Sequence, residues 1–239
     1  FKFEDVPLMR VGEELKPMSD EVYLSIIQEQ EPDFSEQFCE GVSIDDLDNE
    51  AIEILKDKYA KKQKNPSFRS LENYQALSDL GLIFQGKVTN AAVILVGKKD
   101  IINSKYPQAK ISLEYRTGES NIHFDAREFF DGPYYIMIDK LWAAINSRNG
   151  SVPVRNGIYK DYDIPLFNED VIREALNNAI AHRAYDIQGE IVVKQYPTQM
   201  IFVNPGGFPH GVTIDNILYV QSTPRNRLLA DVLSKTGLV

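Results

Sequence analysis

Asn168-Glu169-Asp170-Val171-Ile172-Arg173-Glu174-Ala175-Leu176-Asn177-Asn178-Ala179-Ile180-Ala181-His182-Arg183-Ala184-Tyr185 is the stretch on which the fold of this chain turns. Asn168 is a natural N-cap, and Glu169 and Asp170 put negative charge in the first turn, where the helix dipole favours it. At ~100° per residue, Ile172, Ala175, Leu176, Ala179 and Ile180 share one broad apolar face. Glu174, Asn177, Asn178 and Ala181 fall on the opposite stripe, with His182 at its edge, so Glu174 and Asn178 point the same way. Taken alone, this is an amphipathic helix whose polar face meets water. Arg183 disturbs that reading because it falls on the apolar side: either the helix frays there or the arginine is buried against a partner.

Downstream, Glu190–Tyr196 and Gln199–Val203 read as a β-hairpin around Pro197-Thr198. The second strand runs into Asn204-Pro205-Gly206-Gly207-Phe208-Pro209-His210-Gly211, a glycine- and proline-rich turn whose backbone can approach a ligand closely. Thr213 is placed to cap a short helix containing Ile214, Ile217 and Leu218. Ser222-Thr223-Pro224-Arg225-Asn226-Arg227 is a polar loop before a last helix, Leu228–Ser234, stopped by Gly237.

Upstream, Met9–Gly12 reads as a strand and turn, Ser19 as the cap of a helix, and residues 28–40 as an acidic linker. A single helix is expected from Ser43 to about Lys64, with Ile44, Leu47, Ala51, Ile54, Leu55 and Tyr59 as its buried stripe. Lys56, Lys58, Lys61, Lys62 and Lys64 at its basic end suit the helix dipole as a solvated face, with a phosphate-contact patch as the alternative. Leu71–Leu80 is a short helix ended by Gly81, Leu82–Phe84 a strand, and Asn90–Gly97 a buried strand or helix start. Ala109–Tyr115 alternates with period two and reads as a half-buried strand. A helix is expected from about Pro133 to Ser147, and residues 148–165 as a looping connection.

The 239 residues suffice for one large domain or two modest ones. Their 26 Lys and Arg against 35 Asp and Glu give a net charge of −9, which argues against nucleic-acid binding through the overall field. One cysteine, Cys39, excludes an intramolecular disulfide and a cysteine-based zinc site and fits a reducing cytoplasm. No apolar run is long enough to span a bilayer, so no membrane partner is expected. Phe1-Lys2-Phe3-Glu4 is neither a signal peptide nor an initiator methionine, so the chain reads as a piece of a longer one. There is no Gly-x-x-x-x-Gly-Lys-Ser/Thr phosphate loop, which removes support for a motor helicase.

Helix, hairpin, glycine-rich loop, helix is also the order in which GHKL ATPases and kinases build a nucleotide pocket. The strings REALNNAIAHRAY, NPGGFPHGVTIDNIL and STPRNRLLADVLSKTGLV resemble the C-terminal module of a bacterial family described as transcriptional regulators or as ATP-dependent DNA helicases related to RecG. LGLIFQGKVTNAAVILVGKK resembles the central segment of the same family, and Met9-Arg10-Val11-Gly12 the close of its Schlafen AlbA-like DNA-binding domain.

The resemblance implies an α+β fold with helices packed on a mixed or antiparallel sheet, ending in a GHKL-like α/β sandwich. It implies three parts: an AlbA-like remnant over 1–32, a helical and α/β central segment over 33–150, and an ATP-binding module over 151–239, truncated at its end. It makes Asn178 the Mg²⁺ ligand and Glu174 the general base. Asn177, Asn178, His182, Asn204, Gly206, Gly207 and Arg225 become nucleotide-binding residues, and ATP with Mg²⁺ the cofactors. Asn204 stands where such pockets carry the aspartate that reads adenine; its amide offers a donor and an acceptor without charge. For His182 and Arg183 the bland alternative is that they satisfy the carbonyls of a helix end or a buried carboxylate. DNA is expected as a partner through the missing N-terminal domain, with homo-oligomers possible.

Overall fold

The computed structural model describes residues 2–3, 6–11, 14–19, 22, 33–118, 123–156, 160–208, 212–216, 219 and 224–238. They fall into two compact units, Phe1–Asp33 with Gly207–Thr223, and Phe34–Gly206 with Pro224–Val239. In the first, β1 (Lys2–Phe3), β2 (Val6–Val11) and β3 (Glu14–Pro17) form an antiparallel sheet in that order. Val22 is helical and its N–H donates to Ser19 Oγ at 3.4 Å, the cap expected of that serine. Thr213–Asn216 is a turn closed at both ends: Asn216 N–H donates to Thr213 O, and Asn216 Oδ1 accepts from Thr213 N–H. Ile217 and Leu218, expected to continue it as a helix, lie outside the described residues.

The second unit begins with helices: α1 (Asn49–Lys62), α2 (Asn73–Asp79), the short hairpin β4 (Ile83–Phe84) and β5 (Lys87–Val88), α3 (Asn90–Val96) and α4 (Lys99–Lys105). The single helix expected from Ser43 is two elements. Ser43 starts only a 3-10 turn over Ile44–Asp46; Leu47 is extended and bridges Gly97, and Asp48 opens α1 by accepting from Ala51 N–H at 3.0 Å. The break seats Leu47 in the core at 2% exposure. Lys56 is also not on a solvated face: it is buried, donating to Glu53 (2.8 Å) and Asn73 (3.2 Å). Within the expected linker, Phe34–Glu36 is a 3-10 turn whose central Ser35 is buried, and Ser35 Oγ accepts from Leu229 N–H. Residues 28–32 lie outside the described residues. Asn90–Val96 resolves as a helix with every residue buried, capped by Thr89.

A four-stranded mixed sheet follows, in the order β11 (Met200–Val203), β10 (Ile191–Gln195), β6 (Ile111–Tyr115), β7 (Ala126–Phe130). β6 and β10 are parallel, and both outer pairings are antiparallel. Ile111, Leu113, Ile191 and Val193 lie on one face, buried against α5 (Tyr134–Asn146) and α6 (Glu169–His182). Gln195 ties that face to α5 by donating to Ile145 O at 3.0 Å. α7 (Arg227–Lys235) joins the helical layer through Leu229, Val232 and Leu233, all fully buried, and Tyr135 on α5 shares a hydrogen bond with Thr236 just past its end. The architecture is the α+β arrangement of helices on a mixed sheet.

Two expectations change here. β6 is buried on both faces: opposite its apolar side, Glu114 pairs with Arg116 at 2.7 Å and lies 3.8 Å from Arg127, which also pairs with Glu190. An alternating strand is half-exposed only if its polar side chains find water, and here they find guanidinium groups. Residues 148–165 are not a looping connection. β8 (Ser151–Asn156) and β9 (Lys160–Pro165) form a regular antiparallel ribbon, with Val152 opposite Ile164. No helix among the described residues is long and apolar enough to cross a membrane.

Candidate functional site around the end of α6

Helix α6 opens as its sequence demands. Asn168 Oδ1 accepts from the N–H groups of Asp170 (2.9 Å) and Val171 (3.3 Å), filling donors that a first turn leaves open. Ile172, Leu176, Ala179 and Ile180 are buried, as periodicity requires. The polar stripe is divided, however. Glu174 and Asn178 are exposed, whereas Asn177 and Ala181 face inward. Asn177 is fully buried: its Oδ1 accepts from Tyr134 Oη at 2.6 Å and its amide donates to Leu238 O. Hydrophobicity alone cannot place an asparagine whose partners lie on two other segments.

Past His182 the helix stops at Arg183, which is extended (φ −63°, ψ 135°). Both sequence alternatives for this residue hold together: the helix ends, and the arginine is buried. Its guanidinium donates to Ala184 O (2.6 Å), Ile187 O (3.1 Å) and Gly189 O, and lies 4.9 Å from the Tyr185 ring centre. The segment connecting α6 to β10 is thereby wrapped around one side chain.

The same helix end organises the two loops that the sequence singled out. Asn226 is fully buried; its amide donates to Ala181 O (3.0 Å) and Arg183 O (2.8 Å), and its backbone N–H to Ala181 O (2.9 Å). It thus holds Arg225 beside the carboxyl end of α6. Burial, and then the positive charge of Arg225, pull the His182 imidazole below its ordinary value of 6.5. From the other side, Asn204 donates its amide to Ala179 O at 2.8 Å, and Ala184 N–H donates to Pro205 O at 3.3 Å. Gly206 has φ +116°, and a Cβ there would stand 2.9 Å from the Ala184 Cβ, so the turn requires glycine twice over. Gly207 falls in the other unit; a Cβ there would meet open space.

One end of α6 therefore gathers His182, Asn204, Gly206 and Arg225, while Asn178 and Glu174 stand one and two turns back on its exposed side. Asn177 belongs to the packing beneath them. The asparagine-to-carbonyl bond at Ala179 has a chemical consequence. A carbonyl only accepts, so the NH₂ end of Asn204 must face it. Its Oδ1 is turned away, buried, and without a hydrogen-bond partner among the described residues. Sequence reasoning missed Asn226. Its signal was present in the short polar loop Ser222–Arg227, but nothing local shows that the second half of that loop faces inward.

Two stretches match family models. Residues 24–112 match a family described as a domain of unknown function. Residues 188–239 match an HATPase-type family described as "Putative ATP-dependent DNA helicase recG C-terminal". The second stretch is thus similar to a RecG-related, ATPase-like module. It contains Asn204, Gly206, Gly207 and Arg225, whereas Glu174, Asn177, Asn178 and His182 lie ahead of it. No curated protein matches the chain. Among solved structures, the DIP2311 protein from Corynebacterium diphtheriae matches with a TM-score of 0.72 at 22% identity, over 98% of this chain and 46% of that one. The fold is shared, and this chain spans just under half the length of that protein.

Proposed function

We propose that the larger unit binds an adenine nucleotide as its Mg²⁺ complex at the end of α6, in a regulator whose DNA-recognising part is a separate N-terminal domain. The observation that carries this reading is Asn204. Locked by its amide to Ala179 O, it aims a buried carbonyl oxygen, without a partner among the described residues, away from the helix. A buried acceptor without a donor is costly, and the exocyclic amino group of adenine is a donor of the right kind. The aspartate that GHKL pockets use at this place would turn a carboxylate oxygen onto Ala179 O; asparagine keeps the acceptor and removes that repulsion. The similarity of residues 188–239 to an ATPase-like family supports the same reading.

Asn178, exposed and next in sequence to Ala179, has the amide oxygen suited to a hard cation that keeps most of its waters. Mg²⁺, when bound, offsets the charge of the phosphates. His182 and Arg225 supply donors for phosphate oxygens. Glu174, one turn before Asn178 and exposed, can accept a proton from a water molecule, which is the role a hydrolytic version needs.

Titration calorimetry of the full chain with ATP and Mg²⁺ tests this. Heat of binding is expected below about 1 mM, with Asn178→Ala weakening the Mg²⁺-dependent part roughly tenfold. Glu174→Ala should spare affinity and lower any turnover. No heat up to about 1 mM nucleotide overturns the proposal.

A further inference from the structure

The lysine run at the end of α1 has no part in the nucleotide reading, and the helix dipole accounts for only some of it. A dipole favours cations in the last turn, which holds Lys61 and Lys62. Lys58 stands a turn earlier, and Lys64 and Arg69 lie beyond the helix end. Lys56, buried on Glu53 and Asn73, does not belong with them. Asp57 marks the corner they share: it pairs with Lys61 and Arg69, and Lys58 is near enough to favour its charge. Among the described residues it is the only carboxylate paired with any of these five cations. Lys62 lays its side-chain carbons against Gly237, where an added Cβ would stand 3.0 Å from Lys62 Cδ. In a chain with 35 acidic and 26 basic residues, five cations around one carboxylate run against the composition. Lys64 is the sharper observation. The end of α1 is a Schellman turn: Asn65 N–H donates to Ala60 O (3.0 Å) and Lys64 N–H to Lys61 O (3.4 Å). The pivot of such a turn needs the left-handed region, and Lys64 sits there at φ +53°. Glycine takes that position without steric cost. The lysine strains the backbone, yet its exposed side chain has no ion pair among the described residues.

We propose that this corner docks the phosphate backbone of a nucleic acid, without regard to base sequence. A backbone carries its charges at fixed intervals, so cations held in fixed places match it. Lys58 and Lys62 stand ~6 Å apart along the axis of α1. Asp57 holds Lys61 and Arg69, and the turn holds Lys64. Lipid headgroups rearrange freely beneath a protein, so a bilayer gives no reason to strain one lysine into place. Tyr59 and Phe68, the aromatic rings of this corner, pack on each other with centres 4.0 Å apart. They offer bases no ring to stack on and a bilayer no side chain to receive. Glu50, Glu53 and Asp139 line the far end of the groove beside Lys58 and Lys61, so the polyanion crosses the end of α1 and does not run along it. The net charge of −9 opposes the approach, which makes the contact weak and steeply dependent on salt. It is separate from the DNA-recognising domain proposed above and independent of the nucleotide site.

Fluorescence anisotropy of a labelled DNA duplex of about 20 random base pairs, titrated with the full chain in the absence of nucleotide, tests the proposal. A dissociation constant on the order of 10 µM is expected at about 50 mM NaCl. Affinity should fall roughly 100-fold by about 200 mM, as expected for about three or four phosphate contacts. Lys62→Gln, which keeps the packed stem, should weaken binding several-fold and flatten the salt slope by roughly one. Lys87→Gln, the same charge change on the β4–β5 hairpin, should leave the slope as it is. Lys64→Gly separates binding from folding: affinity should drop about threefold or more while the melting temperature rises, because the strained turn relaxes. No anisotropy change up to about 200 µM protein at about 50 mM NaCl overturns the proposal. A Lys64→Gly variant that melts below the wild type overturns it as well, since the lysine then serves the fold. Binding that survives both Lys62→Gln and Lys64→Gly places the contact elsewhere. Capture by vesicles of anionic phospholipid without binding of duplex overturns it in favour of a membrane surface.

Discussion

Asn177 and Asn178 are neighbours of one residue type on one helix, and their surroundings give them opposite work. Asn177 has both ends of its amide engaged inside the protein, whereas Asn178 faces outward. The contrast extends to the two regions they introduce. The exposed side of α6 carries Glu174 and Asn178 with little structural demand on either. At its carboxyl end, Arg183 and Asn226 use their donors to hold loops in place. A ligand site on this helix needs both: a rigid end that fixes the loops, and a free face left for chemistry.

The most forceful way to break that comparison is Arg183→Met. Methionine fills a similar volume but leaves the carbonyls of Ala184, Ile187 and Gly189 without their shared donor. Ala184 O keeps the Ile187 N–H, and Ile187 and Gly189 are exposed enough for their carbonyls to recover some water, so with ~1–3 kcal/mol per unsatisfied acceptor a loss of roughly 2–3 kcal/mol is expected in urea unfolding. Glu174→Gln, on the free face, should stay within about 0.5 kcal/mol of wild type. If the two variants lose comparable stability, the division of labour along α6 is wrong.

A sharper and smaller test is Asn204→Asp, which restores the residue type that GHKL pockets use. Here the carboxylate would meet the Ala179 carbonyl that the amide now serves. A lost hydrogen bond combined with repulsion should cost about 1–2 kcal/mol near neutral pH. The loss should shrink in acid, where the protonated carboxyl can again donate to Ala179 O. An unchanged unfolding midpoint would mean that Asn204 does not depend on that carbonyl.

These residues also mark how far the sequence could be read. The apolar stripe of α6, its Asn168 cap and its charged first turn are local properties, and the helix forms where they require it. The hairpin of β10 and β11 and the helix stopped by Gly237 (φ +72°) were legible for the same reason. What escaped was settled by distant partners. Asn177 turns inward because Tyr134 and Leu238, 43 and 61 residues away, meet its two ends. Lys56 sat in a run of lysines and was buried by Glu53 and an asparagine 17 residues on. The β8–β9 ribbon looked like a loop because its prolines and its exposure to water hide the alternation that would otherwise announce a strand. The candidate site was legible as a set of residue types, while the orientation of Asn204 and the anchoring by Asn226 were not, since both depend on which helix carbonyl each amide meets.

The smallest expected effect comes from His182, which sits where the free face meets the rigid end. Burial and the nearby Arg225 hold its folded value below the 6.5 of a free imidazole. Below pH 6.5 the unfolded chain therefore takes up a proton more readily than the folded one, and stability must fall as pH drops through that region. Above it both states are neutral and the contribution vanishes. His182→Gln removes this dependence, so the urea midpoint of the variant should change less between pH 7.5 and pH 5 than that of the wild type. Nucleotide reverses the sign. Phosphate charge beside His182 favours the imidazolium, so binding should draw in a proton and ATP affinity should weaken as pH rises through the titration of the complex. A variant that keeps the wild-type pH dependence of affinity would place His182 away from the phosphates, while the acid loss of stability would still assign it to the buried end of the helix.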